Sequence, residues 1–246
     1  MMKKKALFLL VSLSFTLLAQ AQTPKAEIYF TAADMPNLVK MNMCPPDSTS
    51  PQFAYDVTRY MWGKQQRLNK ERAEIAYRDC VWGLETIINE FSEPFGLQIS
   101  LKGTPEIYKL LNDALMTCDY VGHTPKKHFM RRRPFMVFNE PSLKPEDEPS
   151  LRQDGSWPSG HTILGYSAAL LLTEINPDRA DTIMARGLMY GESRVIVGAH
   201  WQSDVDAGRL AASMAVAKLH TSDRFLKQMA LARQEFKKCV AAERKK

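Results

Sequence analysis

Three short stretches hold residue types and spacings that could do chemistry on a phosphate. The first runs Lys126-Lys127-His128-Phe129-Met130-Arg131-Arg132-Arg133-Pro134, the second is Pro158-Ser159-Gly160-His161, and the third is Ser193-Arg194 followed by His200 and Asp204. A phosphate monoester carries close to two negative charges, and its transition state spreads charge over three equatorial oxygens. Catalysis on it is therefore mostly positioning and electrostatic stabilisation. Lys126 offers a point charge, while Arg133 and Arg194 offer planar forks that bind two oxygens each. Ser159-Gly160 stands where an apolar helical run begins, so free backbone N–H groups and the helix dipole would face an anion there.

Two histidines can then divide the work. His200 and Asp204 are four apart, close enough at a helix start for the carboxylate to hold one ring nitrogen and leave the other as a nucleophile. His200 is thus the expected nucleophile, through a phosphohistidine. His161, beside the anion-binding turn, is the expected general acid for the leaving alcohol and later the base for water. A lone histidine or a lone basic residue is more often a structural or solvated group, and His123, His128 and His220 are read that way.

The elements that must position these groups read as helices. Ser50-Pro51 suits a cap and first turn, and the text stays helical to about Phe91, with Gly63 as a break and Leu68, Ile75, Tyr77, Val81, Trp82 and Leu84 as core candidates. Thr104-Pro105 opens a helix whose apolar face is Ile107, Leu110, Leu111, Ala114, Leu115 and Cys118. It is expected to end near Gly122, with Pro134 stopping any further turn. Asn139 to Trp157 reads as a loop that could wall the site. A buried helix is expected from Gly160 to Ile175, followed by helices over about Arg179–Val197, Ser203–Leu219 and Asp223–Ala241. No long period-two alternation and no repeat occurs, so the fold class is all-α: one compact multi-helix domain over residues 51–246, preceded by an N-terminal arm over residues 22–50.

Lys3, Lys4 and Lys5, the apolar run Ala6–Leu18 and the Ala19-Gln20-Ala21 tripeptide read as a cleavable secretory signal over residues 1–21. Its removal lowers the net charge from +6 to +3, too mild for a nucleic-acid polymer partner. After Ala21 no apolar run reaches membrane-spanning length, so membrane insertion is not expected. Cys44, Cys80, Cys118 and Cys239 allow three disulfide pairings in an exported chain, with a buried free thiol at Cys118 as the alternative. No CxxC spacing suggests zinc.

Lys126-x6-Arg133-Pro134, Pro158-Ser159-Gly160-His161 and Ser193-Arg194-x5-His200-x3-Asp204 together resemble the three-part signature of the phosphatidic acid phosphatase type 2 superfamily. The text around them, including Asp154-Gly155-Ser156-Trp157 and Gly198-Ala199-His200-Trp201-Gln202-Ser203-Asp204, is similar to class A bacterial non-specific acid phosphatases. That resemblance covers about Ser50 to the C-terminal helix. It implies a periplasmic, all-helical, homo-oligomeric phosphomonoesterase of broad range with an acidic optimum, working without metal or other cofactor on small phosphate monoesters such as nucleotides, sugar phosphates and aryl phosphates. It implies phosphate binding by Lys126, Arg133, Ser159, Gly160, His161 and Arg194, with His200 as nucleophile, His161 as acid and Asp204 orienting His200. Lys127 doubles the lysine, and the choice of Lys126 follows motif spacing. Vanadium-dependent haloperoxidases resemble the same site with vanadate in place of phosphate, but their chains are longer and nothing here calls for halide chemistry. A lipid phosphatase would need membrane spans, and a simple phosphate-binding protein would need neither histidine.

Overall fold

The computed structural model describes residues 24–243; the expected signal segment lies outside them. Among the described residues the regular structure is helical, with no strand. The helices are α1 (Pro51–Gln66), α2 (Lys70–Arg78), α3 (Leu84–Phe95), α4 (Pro105–Phe129), α5 (Pro134–Phe138), α6 (Glu148–Leu151), α7 (Gly160–Ile175), α8 (Ala180–Val197), α9 (Gln202–Leu219) and α10 (Asp223–Glu243).

α7 is the axis of the fold, packed between α8, α9 and α4, while α10 lies along α4. Its sequence is nearly all small or apolar, and burial on most sides follows: Ile163, Leu164, Ala168, Ala169, Leu171 and Leu172 are all in the core. The α7–α8 crossing is close because Gly165 faces the ring of Tyr190, where a Cβ would collide with it. The expected face of α4, from Ile107 to Cys118, is fully buried in the same core.

Four expectations need correction. Gly63 does not break a helix: it sits inside α1, where a Cβ would lie 2.8 Å from the Val195 carbonyl oxygen, so the glycine admits α8. The breaks fall instead at residues 67–69, before the Asn69 cap of α2, and at residues 79–83. Of the proposed core positions there, Leu84 is buried and Ile75 partly so. Leu68 is 85% exposed, and Val81 and Trp82 are also exposed, because they fall in the links on either side of α2; Tyr77 is exposed because α2 turns Ala76 inward instead. α4 runs past Gly122 to Phe129 with Pro125 inside it, so Lys126 stands on its last turn. Pro134 opens a helical turn rather than ending one, in the first-turn position where its missing N–H costs nothing.

The remaining helices match their expected spans closely, and the region over residues 139–157 contains only short turns, including α6. The segment preceding α1 is held to α4: the Glu27 and Tyr29 N–H groups donate to Asp113 Oδ1 at 2.9 Å and Thr117 Oγ1 at 3.0 Å. Met35 and Leu38 enter the core. All four cysteines are free, with Cys80 and Cys118 buried, as the unpaired alternative for Cys118 anticipated.

Candidate active site

Ser159 caps α7: its hydroxyl accepts from the Thr162 N–H at 3.3 Å and from Thr162 Oγ1 at 2.9 Å. The N–H groups of Gly160 and His161, in the first turn, have no intrahelical acceptor, and both residues line a cavity of about 500 Å³. That cavity is also lined by Lys126, Arg133, His200, Trp82 and Asp154. Five of the sequence-predicted residues, Lys126, Arg133, Gly160, His161 and His200, therefore meet around one opening. Ser159, Arg194 and Asp204 lie behind it, fully or almost fully buried.

The loop after α6 supplies a wall that fixes the cations. Lys126 Nζ donates to the Gly155 carbonyl at 2.6 Å and to Asp154 Oδ2 at 2.9 Å. Arg133 donates to the carbonyls of Leu151 at 2.8 Å, Ala199 at 3.0 Å and Gly155 at 3.3 Å. Burial lowers the Arg133 pKa to about 10, and it lowers that of Lys126 too, with Arg133 repelling the ammonium. Lys127, the neighbouring candidate, is exposed at the rim. Arg194 is only 1% exposed, and its Nε and Nη1 have no hydrogen-bond partner. A buried guanidinium with two idle donors is costly, and an oxyanion in the cavity is the chemistry that would satisfy it.

The two imidazoles are held by opposite nitrogens. Arg133 Nη1 donates to His200 Nε2 at 3.1 Å, which makes Nε2 the lone-pair nitrogen, while Nδ1 faces Asp204 Oδ2 at 3.4 Å. His161 Nε2 lies 3.0 Å from the Cys80 carbonyl, which can only accept, so this nitrogen carries the proton. Both histidines are pushed well below the usual histidine pKa, first by burial. For His161 the next cause is Arg194, and for His200 it is Arg133 and then Lys126. Both shifts favour the neutral imidazole.

Residues 109–227 match the PAP2 superfamily. The chain is 44% identical over 195 residues to a non-specific acid phosphatase of Providencia stuartii, covering 79% of this chain and 78% of that protein. It is 42% identical over 192 residues to a non-specific acid phosphatase of Salmonella typhimurium (78% and 76%), and 36% identical over 195 residues to an acid phosphatase of Zymomonas mobilis (79% and 73%). The chain belongs to the non-specific acid phosphatases of the PAP2 superfamily.

Sequence reasoning missed several supports of this candidate site. Arg131, one of a basic cluster in the sequence, is a half-buried clamp that reaches Asp204 Oδ1 at 2.5 Å and Asp56 Oδ2 at 2.8 Å. Asp56 carries no motif; only its place on α1 opposite Ser203 gives it away. Ser193, a signature residue, donates to buried Asp79 at 2.6 Å, and Arg186 of α8 pairs with the same carboxylate. That lock fixes the residue 79–82 link, and with it the Cys80 carbonyl that holds His161. His123 lines the cavity and pairs with Asp119 at 2.9 Å, which raises its pKa. Among the described residues no group of three or more His, Cys, Asp or Glu side chains is arranged to hold a metal ion.

Proposed function

We propose that the chain hydrolyses small phosphate monoesters through a phosphohistidine on His200, without metal assistance, at acidic pH. The observation that carries this is the pair of oppositely held imidazoles in one cation-lined cavity: Nε2 of His200 unprotonated beside Arg133, and His161 at the helix N-terminus across from it. In the first step Nε2 attacks phosphorus in line with the ester oxygen, forming the P–N bond as the P–O bond breaks. His161 gives that oxygen its proton and the alcohol leaves. In the second step His161, now neutral, takes a proton from water as its oxygen attacks phosphorus, the P–N bond breaks, and inorganic phosphate departs. An alcohol in place of that water would give phosphotransfer. Lys126, Arg133, Arg194 and the N–H groups of Gly160 and His161 hold the phosphoryl oxygens, Ser159 shapes the turn, and Asp204 keeps the His200 tautomer.

Metal independence rests on the charge in the cavity being supplied by lysine and arginine. Residues 1–21 are proposed as a leader to the periplasm, with an arm over residues 22–50 before the catalytic domain. Assembly into an oligomer is carried forward as a family expectation. The test is p-nitrophenyl phosphate hydrolysis at acidic pH in excess EDTA. Wild type should retain activity, and His200→Ala should lose it along with any acid-labile phosphoenzyme. Activity abolished by EDTA, or retained by His200→Ala, overturns the mechanism.

A further inference from the structure

Trp82 lines the cavity but takes no part in the grip on phosphate. It lies in the link between α2 and α3, 48% exposed at the mouth of the cavity, whereas Trp157 and Trp201 are buried. Its ring meets His161 edge-on, with centroids 4.8 Å apart at 78°. It also covers Gly160, where a Cβ would come within 3.4 Å of the indole carbons. Asp119, His123 and Lys127 of α4 add polar groups to the same lining, with Asp119 Oδ1 3.8 Å from that Cβ position.

On the mechanism proposed above, the leaving oxygen must sit within reach of the His161 proton. Whatever that oxygen carries then emerges beside the indole. An aliphatic or sugar alcohol gains little from a flat apolar ring, whereas an aromatic ring on the alcohol can stack on it. We infer that Trp82 is a leaving-group platform that makes this site favour phosphate esters whose alcohol bears a flat aromatic ring, and that Trp82 rather than the phosphate grip sets this preference. The inference rests on the phosphatase reading.

The test compares esters with nearly the same leaving oxygen. Adenosine 5′-monophosphate is set against ribose 5-phosphate, and benzyl phosphate against cyclohexylmethyl phosphate, for wild type, Trp82→Ala and Trp82→Phe. Wild type should prefer the aromatic member of at least one pair by on the order of tenfold in kcat/KM, expressed in KM, as base stacking on aromatic side chains implies. A preference confined to the first pair identifies a nucleobase as the ring; one seen in the second identifies an aryl group. Trp82→Ala should bring the ratio close to one while ribose 5-phosphate hydrolysis persists, and Trp82→Phe should keep most of it. A wild-type ratio near one in both pairs, a ratio that survives Trp82→Ala, or equal slowing of both members of a pair overturns the platform; equal slowing would mean that Trp82 only seats His161. Failure of wild type to hydrolyse any of the four esters overturns the phosphatase reading beneath it.

Discussion

The guanidinium of Arg131 lies 2.5 Å from Asp204 Oδ1, leaving Oδ2 of the same carboxylate for His200 and for the start of α9. Arg131 also joins Asp56 and Ser203, and its carbonyl receives the Ser156 N–H at 3.0 Å, so one residue braces the surroundings of His200 from two sides. Replacing it by methionine leaves two buried carboxylates unpaired, which costs about 3–5 kcal/mol of stability. Loss of such outer support typically reduces activity about 10–100-fold. We expect Arg131→Met to fall in both Tm and kcat, with Arg131→Lys intermediate in each. A methionine variant with unchanged kcat would show that Asp204 needs no such brace.

The lowered histidine pKa values set the direction of the pH response. On the proposed mechanism His200 attacks as the neutral imidazole, and its depressed pKa favours that form into acid, so the acidic limb of the rate is expected below pH 6.5. His161 must be protonated to release the alcohol. Its depressed pKa in the empty site means that kcat/KM declines as pH rises from below 6.5. A bound phosphoryl group brings negative charge beside His161 and raises its pKa, so the basic limb of kcat should sit at higher pH than that of kcat/KM. Paired pH profiles check this, and coincident limbs or a rate flat from about pH 5 to about pH 9 would contradict it.

Arg194 predicts a separation of stability from activity. Its buried Nε and Nη1 have no hydrogen-bond partner, so Arg194→Met should keep or raise the Tm. Its kcat/KM should drop about 10²–10³-fold through the lost oxyanion contacts. Inorganic phosphate at about a hundred times its Kd should stabilise wild type by about 2.7 kcal/mol and the variant by far less. Thermal shift with and without phosphate reads both.

Gly155 permits a backbone contact that the site depends on. A Cβ there would collide with the Lys126 carbonyl and stand 3.1 Å from Met130 Cα, neither of which can swing aside. In Gly155→Ala the turn must therefore retreat, taking with it the carbonyl that accepts from Lys126 and Arg133. Strain of about 1–3 kcal/mol should appear as a lower Tm, and KM for p-nitrophenyl phosphate should rise several-fold. An unchanged KM would detach this loop from the phosphate grip.

The long helices and the reactive groups were legible because each leaves a local trace. α4 shows its face by periodicity and α7 its burial by a nearly unbroken run of small and apolar residues, and Lys126, Arg133, His161 and His200 stand in short motifs. Asp56 and Asp79 left no such trace, since a buried carboxylate looks like a solvated one until its arginine is located. Trp82 was misplaced for a related reason: apolar character predicts burial on average, and nothing local marks a ring turned outward to face a cavity. Gly63 misled because a helix interior glycine usually weakens the helix, whereas here close approach of α8 requires it.

Asp204 Oδ2 accepts from the Trp201 N–H at 2.8 Å, closing the first turn of α9, and the same oxygen faces His200 Nδ1. One atom thus answers to architecture and to reactivity together. A descendant that had abandoned turnover would still need the aspartate to begin that helix, whereas His161 and His200 cap no helix. In this lineage the carboxylate attests only that the protein folds, and the imidazoles tell a working copy from a retired one.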